Sequence, residues 1–229
     1  MYKRQFVSQS VERSFALVPP YVDALCGEIS AGGEMVRRAG LRVRTFYMGG
    51  GTPTTLTAEQ MDRVLTAFET SFDRTACEEI TVEAGRPDTI TAEKLAVLAR
   101  RGCSRVSVNP QTMQDAVLER MGRAHRADDI LRAYALARES GIGCINMDLI
   151  AGLPGDSAEG FRASLEQVLA LGPENVTVHT LSIKRSASYG ESWEERRKAL
   201  EQAQQVGQMV SYAQKQLMQS GWMPYYLYK

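Results

Sequence analysis

Along the chain, short β-branched and apolar runs alternate with longer stretches whose apolar positions recur at helical spacing. The runs Val43–Met48, Glu79–Glu83, Arg105–Asn109, Cys144–Ile150 and Asn175–Leu181 predict five strands. The stretches Pro20–Arg38, Ala58–Phe72, Ala92–Arg101, Asp115–Met121, Asp128–Ser140, Ser157–Leu171 and Trp193–Gln219 predict helices. Strands that alternate with helices imply right-handed βαβ crossovers and a parallel sheet. The punctuation agrees. Thr57 with Gln60 makes a capping box before Ala58, and Thr91 with Lys94 makes half of one. Gly102, Gly141 and Gly172 each follow a helical stretch, where the chain needs a left-handed residue. The recurring order of helix, glycine, one or two residues and strand is that of the short loops at the bottom of an α/β barrel.

The two ends do not fit a whole barrel. The helix Pro20–Arg38 has no strand before it, because Met1–Val18 is polar and aperiodic, and Pro224–Lys229 reads as a strand just beginning. The expectation is an irregular segment over 1–19 and one α/β core domain over 20–229, a fragment with five clear parallel strands and the first strand missing. Composition narrows the class. Lys+Arg and Asp+Glu are 27 each, which leaves no electrostatic footprint for nucleic acid or an anionic membrane surface. No stretch approaches the ~18 apolar residues of a bilayer span, and the N-terminus has no apolar signal core. Cys26, Cys77, Cys103 and Cys144 are scattered, against both a disulfide framework and a local metal knuckle, so a reducing cytoplasm is the default; a monomer is expected. Cys77, Cys103 and Cys144 fall at the bottom rim, and Cys26 at helical spacing with Val22 and Ile29 reads as core.

Ligands of parallel α/β folds sit at the C-terminal ends of the strands. Those ends carry Gly49-Gly-Gly-Thr-Pro-Thr54, Glu83-Ala-Gly-Arg-Pro-Asp88, Asn109-Pro-Gln111, Asp148 with Gly152-Leu-Pro-Gly155, and His179-Thr180 with Lys184 and Arg185 beyond. Three glycines before Thr-Pro make neither a dinucleotide fingerprint nor a P-loop. They strip side chains from a turn so that a ligand reaches peptide N–H and C=O groups. Asp148 lies inside an apolar strand, where an unpartnered carboxylate is costly. His125 and His179 read as hydrogen-bonded structural residues rather than ligands. Lys184, Arg185 and Arg86 are candidate partners for anions.

Gly49-Gly-Gly-Thr-Pro-Thr54 resembles the turn by which radical S-adenosylmethionine (SAM) enzymes of the oxygen-independent coproporphyrinogen III oxidase family hold the methionyl part of SAM. Thr81-Val-Glu83-Ala, the Gln111/Arg123 pair twelve residues apart, and Ile145-Asn-Met-Asp148-Leu-Ile-Ala-Gly-Leu-Pro154 resemble further motifs of that family in order. Asn109-Pro-Gln-Thr-Met113 and Val178–Ser186 are most similar to its coproporphyrinogen dehydrogenase (HemZ) branch. The resemblance implies a radical SAM (β/α)6 TIM-like barrel. It implies that Gly50, Gly51 and Thr52 bind the amino and carboxylate ends of SAM, Glu83 a hydroxyl or ammonium, Gln111 and Arg123 the ribose and carboxylate, and Asp148 the ribose hydroxyls.

The departure from the family is the absence of a Cys-x-x-x-Cys-x-x-Cys motif, whose thiolates hold a [4Fe–4S] cluster. Our expectation is that the first strand and the cluster loop are missing together and that the chain as given is inactive. For the intact protein the resemblance implies an electron donor, hydrogen abstraction from the β-carbon of a propionate, and loss of carbon dioxide to leave a vinyl group, with coproporphyrinogen III as substrate. The rival is a SAM-binding heme chaperone, which shares the glycine turn and the barrel.

Overall fold

The computed structural model describes residues 16–181 and 193–225. Its elements in order are α1 (Val18–Arg38), β1 (Thr45–Met48), α2 (Ala58–Ser71), β2 (Glu79–Gly85), α3 (Ala92–Arg100), β3 (Arg105–Gln111), α4 (Asp115–Arg120), α5 (Ala127–Glu139), β4 (Cys144–Ala151), α6 (Ala158–Leu171), β5 (Asn175–Thr180) and α7 (Trp193–Gln219). All four strand pairings are parallel and the order is sequential, β1 to β5. This is an α/β fold, a partial TIM-like barrel.

Local chemistry explains the boundaries. At the start of α2 the Thr57 hydroxyl accepts from the Gln60 N–H while the Gln60 side chain accepts from the Thr57 N–H. Thr91 caps α3 from one side only, accepting from the Lys94 N–H. Gly102, Gly141 and Gly172 all have φ between 70° and 80°, as the helix exits require.

Three strands run further than the sequence indicated, β4 by Ala151 alone and β2 and β3 by two residues each. β2 continues through Gly85 and β3 through Pro110 to Gln111, each with a register shift at that end. Proline has no N–H for the ladder, so β3 continues past it only by breaking register. Such irregularities bend the strand and re-aim its last side chains. Here they fall side by side, at the C-terminal ends of two neighbouring strands.

The strands have two chemically different faces. Ile80, Val82, Ala84, Val106, Val108, Ile145, Met147, Leu149 and Ala151 are buried in one cluster with helical residues such as Met61, Leu95, Ile130, Phe161 and Met209. The alternate positions, among them Thr81, Glu83, Ser107, Asn109, Asn146, Asp148, Thr177 and His179, are polar and point the other way. A parallel sheet covered on both faces would read as continuous apolar runs. This alternation instead gives the barrel a polar interior.

Candidate functional site

β1 hands the chain to the glycine turn. Gly50 has φ +104°, and its N–H donates to Glu83 Oε2 at 3.3 Å. Tyr47 donates its hydroxyl to the other carboxylate oxygen, Oε1. A Cβ on Gly49 would lie 2.4 Å from Tyr47 Cε1 and 3.0 Å from Glu83 Cδ, so only glycine lets these side chains close over the turn. Cβ atoms on Gly50 and Gly51 would meet nothing within 4 Å, which leaves the outer side of the turn open to a ligand.

The turn is fastened from below. Thr54 is buried; its hydroxyl donates to the Ala84 carbonyl and lies 2.6 Å from Thr89 Oγ1. Lys94 of α3 donates to the carbonyls of Thr54 (2.6 Å) and Thr89 (3.0 Å), and burial lowers its pKa. Gly85 has φ +67°, and a Cβ there would come within 2.8 Å of Thr52 Cγ2. The turn and the end of β2 are therefore packed and hydrogen-bonded together.

At the end of β3, Gln111 has φ +66°, alone among the described non-glycine residues in the left-handed region. A non-glycine residue there carries strain that the surroundings must sustain. The consequence is that its Oε1 accepts from Arg123 Nη2 at 2.9 Å. Burial and the nearby Arg86 guanidinium both disfavour the charge on Arg123. A half-buried guanidinium held by a neutral amide has donors left for an anion.

Asp148 stands in the C-terminal half of β4, three residues before its end, with a largely covered side chain (18% exposed). Asn146, on the same face two residues back, donates Nδ2 to Asp148 Oδ1 at 2.5 Å and itself accepts from the Thr177 hydroxyl at 3.0 Å. His179 Nε2 lies 3.8 Å from Asp148 Oδ2. The neighbouring Asp148 carboxylate raises the His179 pKa against the opposing effect of burial. His179 thus belongs to the rim.

The structure brings Glu83, Gln111, Arg123 and Asp148 to the same ends of three adjacent strands, with Gly50, Gly51 and Thr52 beside them. Tyr47 and Asn146 complete the set, and sequence reasoning passed over both. The signal for Asn146 was spacing, since it lies two residues before Asp148 on β4 and shares its face, while Tyr47 sits on β1 just before the glycine turn. Lys184 and Arg185 lie outside the described residues.

The polar interior holds acceptors with no protein partner. Ser107 Oγ and Asn109 Oδ1 are buried and have no hydrogen-bond partner among the described residues. Buried polar atoms are normally hydrogen-bonded, so these two are available to a molecule bound in the interior. An open backbone turn, a half-buried guanidinium, a carboxylate and orphaned acceptors suit a zwitterion carrying a ribose.

The cysteines do not suit an iron–sulfur cluster. Cys77 and Cys103 precede β2 and β3 and Cys144 opens β4, all at the N-terminal ends of the strands; Cys26 packs against the core from α1. Cys103 donates to the carbonyls of Ile80 and Arg105, and burial pushes its pKa up to about 11. Among the described residues no group of three or more His, Cys, Asp or Glu side chains is placed to hold a metal ion.

A parallel barrel with a polar interior, whose glycine turn and charged side chains share one rim, is a cofactor-binding α/β barrel. The sequence model of the Radical SAM superfamily matches residues 30–168, and the chain belongs to that superfamily. The family implies SAM and a [4Fe–4S] cluster as cofactors. The chain is 40% identical over 225 residues to the oxygen-independent coproporphyrinogen-III oxidase-like protein HemZ of Bacillus subtilis, covering 98% of this chain and 44% of the relative. It is 31% identical to the heme chaperone HemW of Escherichia coli over 74% of this chain and 44% of that protein. Among solved structures, coproporphyrinogen III oxidase (HemN) of Escherichia coli superposes with a TM-score of 0.72 at 28% identity, covering 89% of this chain and 46% of that one. The chain spans less than half the length of these relatives.

Proposed function

We propose that this chain is the SAM-binding core of a radical SAM enzyme of porphyrin biosynthesis, which converts propionates of coproporphyrinogen III to vinyl groups with release of carbon dioxide. The observation that carries the SAM site is the convergence of the open Gly50–Gly51 turn, Glu83, Gln111–Arg123 and Asp148 on one rim. The 40% identity to the oxidase-like HemZ over 98% of the chain supports the reaction class.

In this reading the N–H groups of the glycine turn and the Arg123 fork hold the carboxylate of SAM, since planar guanidinium and carboxylate match in two parallel bonds. Glu83, already aimed by Tyr47 and the Gly50 N–H, accepts from the ammonium. Asp148, oriented by Asn146, accepts from ribose hydroxyls. SAM, when bound, supplies the one-electron chemistry that removes hydrogen from the substrate. The chain's own part is to bind, orient and exclude water. None of its cysteines is placed to hold a cluster beside that rim, so no step is assigned to one here. Four unpaired thiols fit a cytoplasmic site of action.

A second reading comes from the relatives named heme chaperone, in which the same rim serves a heme-carrying protein. The two separate in one experiment. This core replaces the matching stretch of the Bacillus subtilis relative, and the chimaera is incubated anaerobically with SAM, reductant and coproporphyrinogen III. Carbon dioxide and vinyl products by mass spectrometry are the expected result. Heme bound tightly at one per chain, with no decarboxylated product, would establish the carrier instead.

A further inference from the structure

Next to Arg123 lies a second charged group that the SAM assignment leaves unused. Arg86, just past β2, forks onto Asp88, with Nε to Oδ1 at 3.0 Å and Nη2 to Oδ2 at 2.5 Å. Behind Asp88 sits His125. It is only 4% exposed, neither ring nitrogen has a hydrogen-bond partner among the described residues, and Nδ1 lies 3.9 Å from Asp88 Oδ1. A buried imidazole in that state is unusual. Asp88 lies within reach of both Arg86 and His125, and it is committed to Arg86.

We propose that Arg86 grips a carboxylate of the bound ligand, and that Asp88, released by that exchange, is taken over by His125, which gains one proton from solvent. Three features make the exchange feasible. Arg86 is the more exposed partner of the fork (44% of its side chain) and lies at the strand-end rim. A ligand carboxylate replaces Asp88 on the guanidinium with like geometry, so no cation is stranded. Asp88, left without its fork, is in turn met by an imidazolium 3.9 Å away rather than left as an unpaired carboxylate.

The surrounding charges are consistent with this order of events. Burial lowers the His125 pKa, Asp88 opposes, Arg123 and Arg86 add to the lowering, and Asp129 opposes weakly. Burial raises the Asp88 pKa, but the Arg86 fork outweighs it and holds the carboxyl below its usual range. His125 is therefore neutral at pH 7 while Arg86 occupies Asp88, and gains a proton once Arg86 turns away. Ligand affinity should then rise as pH falls from about 8 toward 6.

This inference rests on the proposed reading of the rim as a site for SAM and a propionate-bearing substrate. Both offer carboxylates, so each is a separate probe. The chain has only two histidines, so imidazole NMR resolves His125 and His179, with His179→Gln giving the assignment. In the free protein His125 should titrate below its ordinary value. Whichever of SAM or coproporphyrin III engages Arg86 should raise that midpoint by about one unit. Calorimetry in buffers of different ionisation enthalpy should show matching proton uptake. Arg86→Gln should raise the His125 midpoint with no ligand present, abolish the response to ligand, and weaken that ligand about tenfold. A role in folding alone would produce none of these. An unchanged His125 midpoint in Arg86→Gln, or binding of both probes with no midpoint shift, overturns the exchange and leaves the SAM site standing. Failure of both probes to bind overturns both readings.

Discussion

Asp148 carries more of the proposed SAM site than its single charge suggests, because its partners fix it in place. Asn146 occupies one carboxylate oxygen from behind, and its own oxygen is occupied by Thr177. The second oxygen faces His179 Nε2 at 3.8 Å and keeps capacity to accept; hydrogen bonds to a charged acceptor are worth about 1.5–3 kcal/mol each. Asp148→Ala should therefore weaken SAM binding by about tenfold or more in a calorimetric titration, while Glu139→Ala, on the exposed last turn of α5, should leave it unchanged. Equal affinities in the two variants would remove Asp148 from the site. Gly49 depends on its surroundings in the same way: the turn needs glycine there because Tyr47 and Glu83 close over it.

Between elements, a charged seam joins α2 to α3. Asp62 of α2 accepts from Arg101 through both oxygens at 2.8 Å and from Arg100 at 3.1 Å, and Arg101 also reaches Glu69 at 2.8 Å. The Arg101 hydrogen bonds hold the Asp62 carboxyl at about 2 against the opposing effect of burial, with Arg100 adding to the lowering. A carboxyl whose pKa is lower in the folded state contributes stability that is fully present above its unfolded value, near 4, and is lost as pH falls through the folded one. Asp62→Asn should therefore lower the melting temperature at pH 7. The gap to the wild type should close between about pH 4 and pH 2. The seam is solvent-exposed and screened, so the shift should be small and should shrink in high salt. A gap that persists unchanged at pH 2 would assign the effect to packing.

At the scale of the whole molecule, the placement of sulfur is at odds with the chemistry that the family implies. Three of the four thiols sit at the N-terminal ends of the strands, a barrel's height from the glycine turn, and the fourth packs on α1. Anaerobic reconstitution of this chain with iron and sulfide should give no stoichiometric cluster and no absorption near 400 nm beyond adventitious iron. A cluster at one per chain would require the barrel to rearrange, and would refute the arrangement of β2, β3 and β4 described above. SAM affinity should survive in the same sample, since every residue assigned to SAM lies on the opposite rim.

The sequence by itself determined the class, the order and the connectivity of this fold. Strand runs alternating with helical periods, Thr57 with Gln60, and glycines at 102, 141 and 172 act over a few residues, and nothing distant competes with them. It also marked Gly50, Gly51, Glu83 and Asp148, because strand ends are where parallel folds present ligand-binding groups, while Arg123 was marked by its resemblance to the family's motif twelve residues after Gln111. Only the tertiary structure decided what stands behind those residues. The left-handed Gln111 that meets Arg123, the closure of Tyr47 on Glu83, and the meeting of Arg86, Asp88 and His125 depend on where two register shifts bend neighbouring strands. Those shifts arise from pairing between segments about 25–40 residues apart, as between Glu83 and Ser107 or Val108 and Met147, and local propensity carries no information about them.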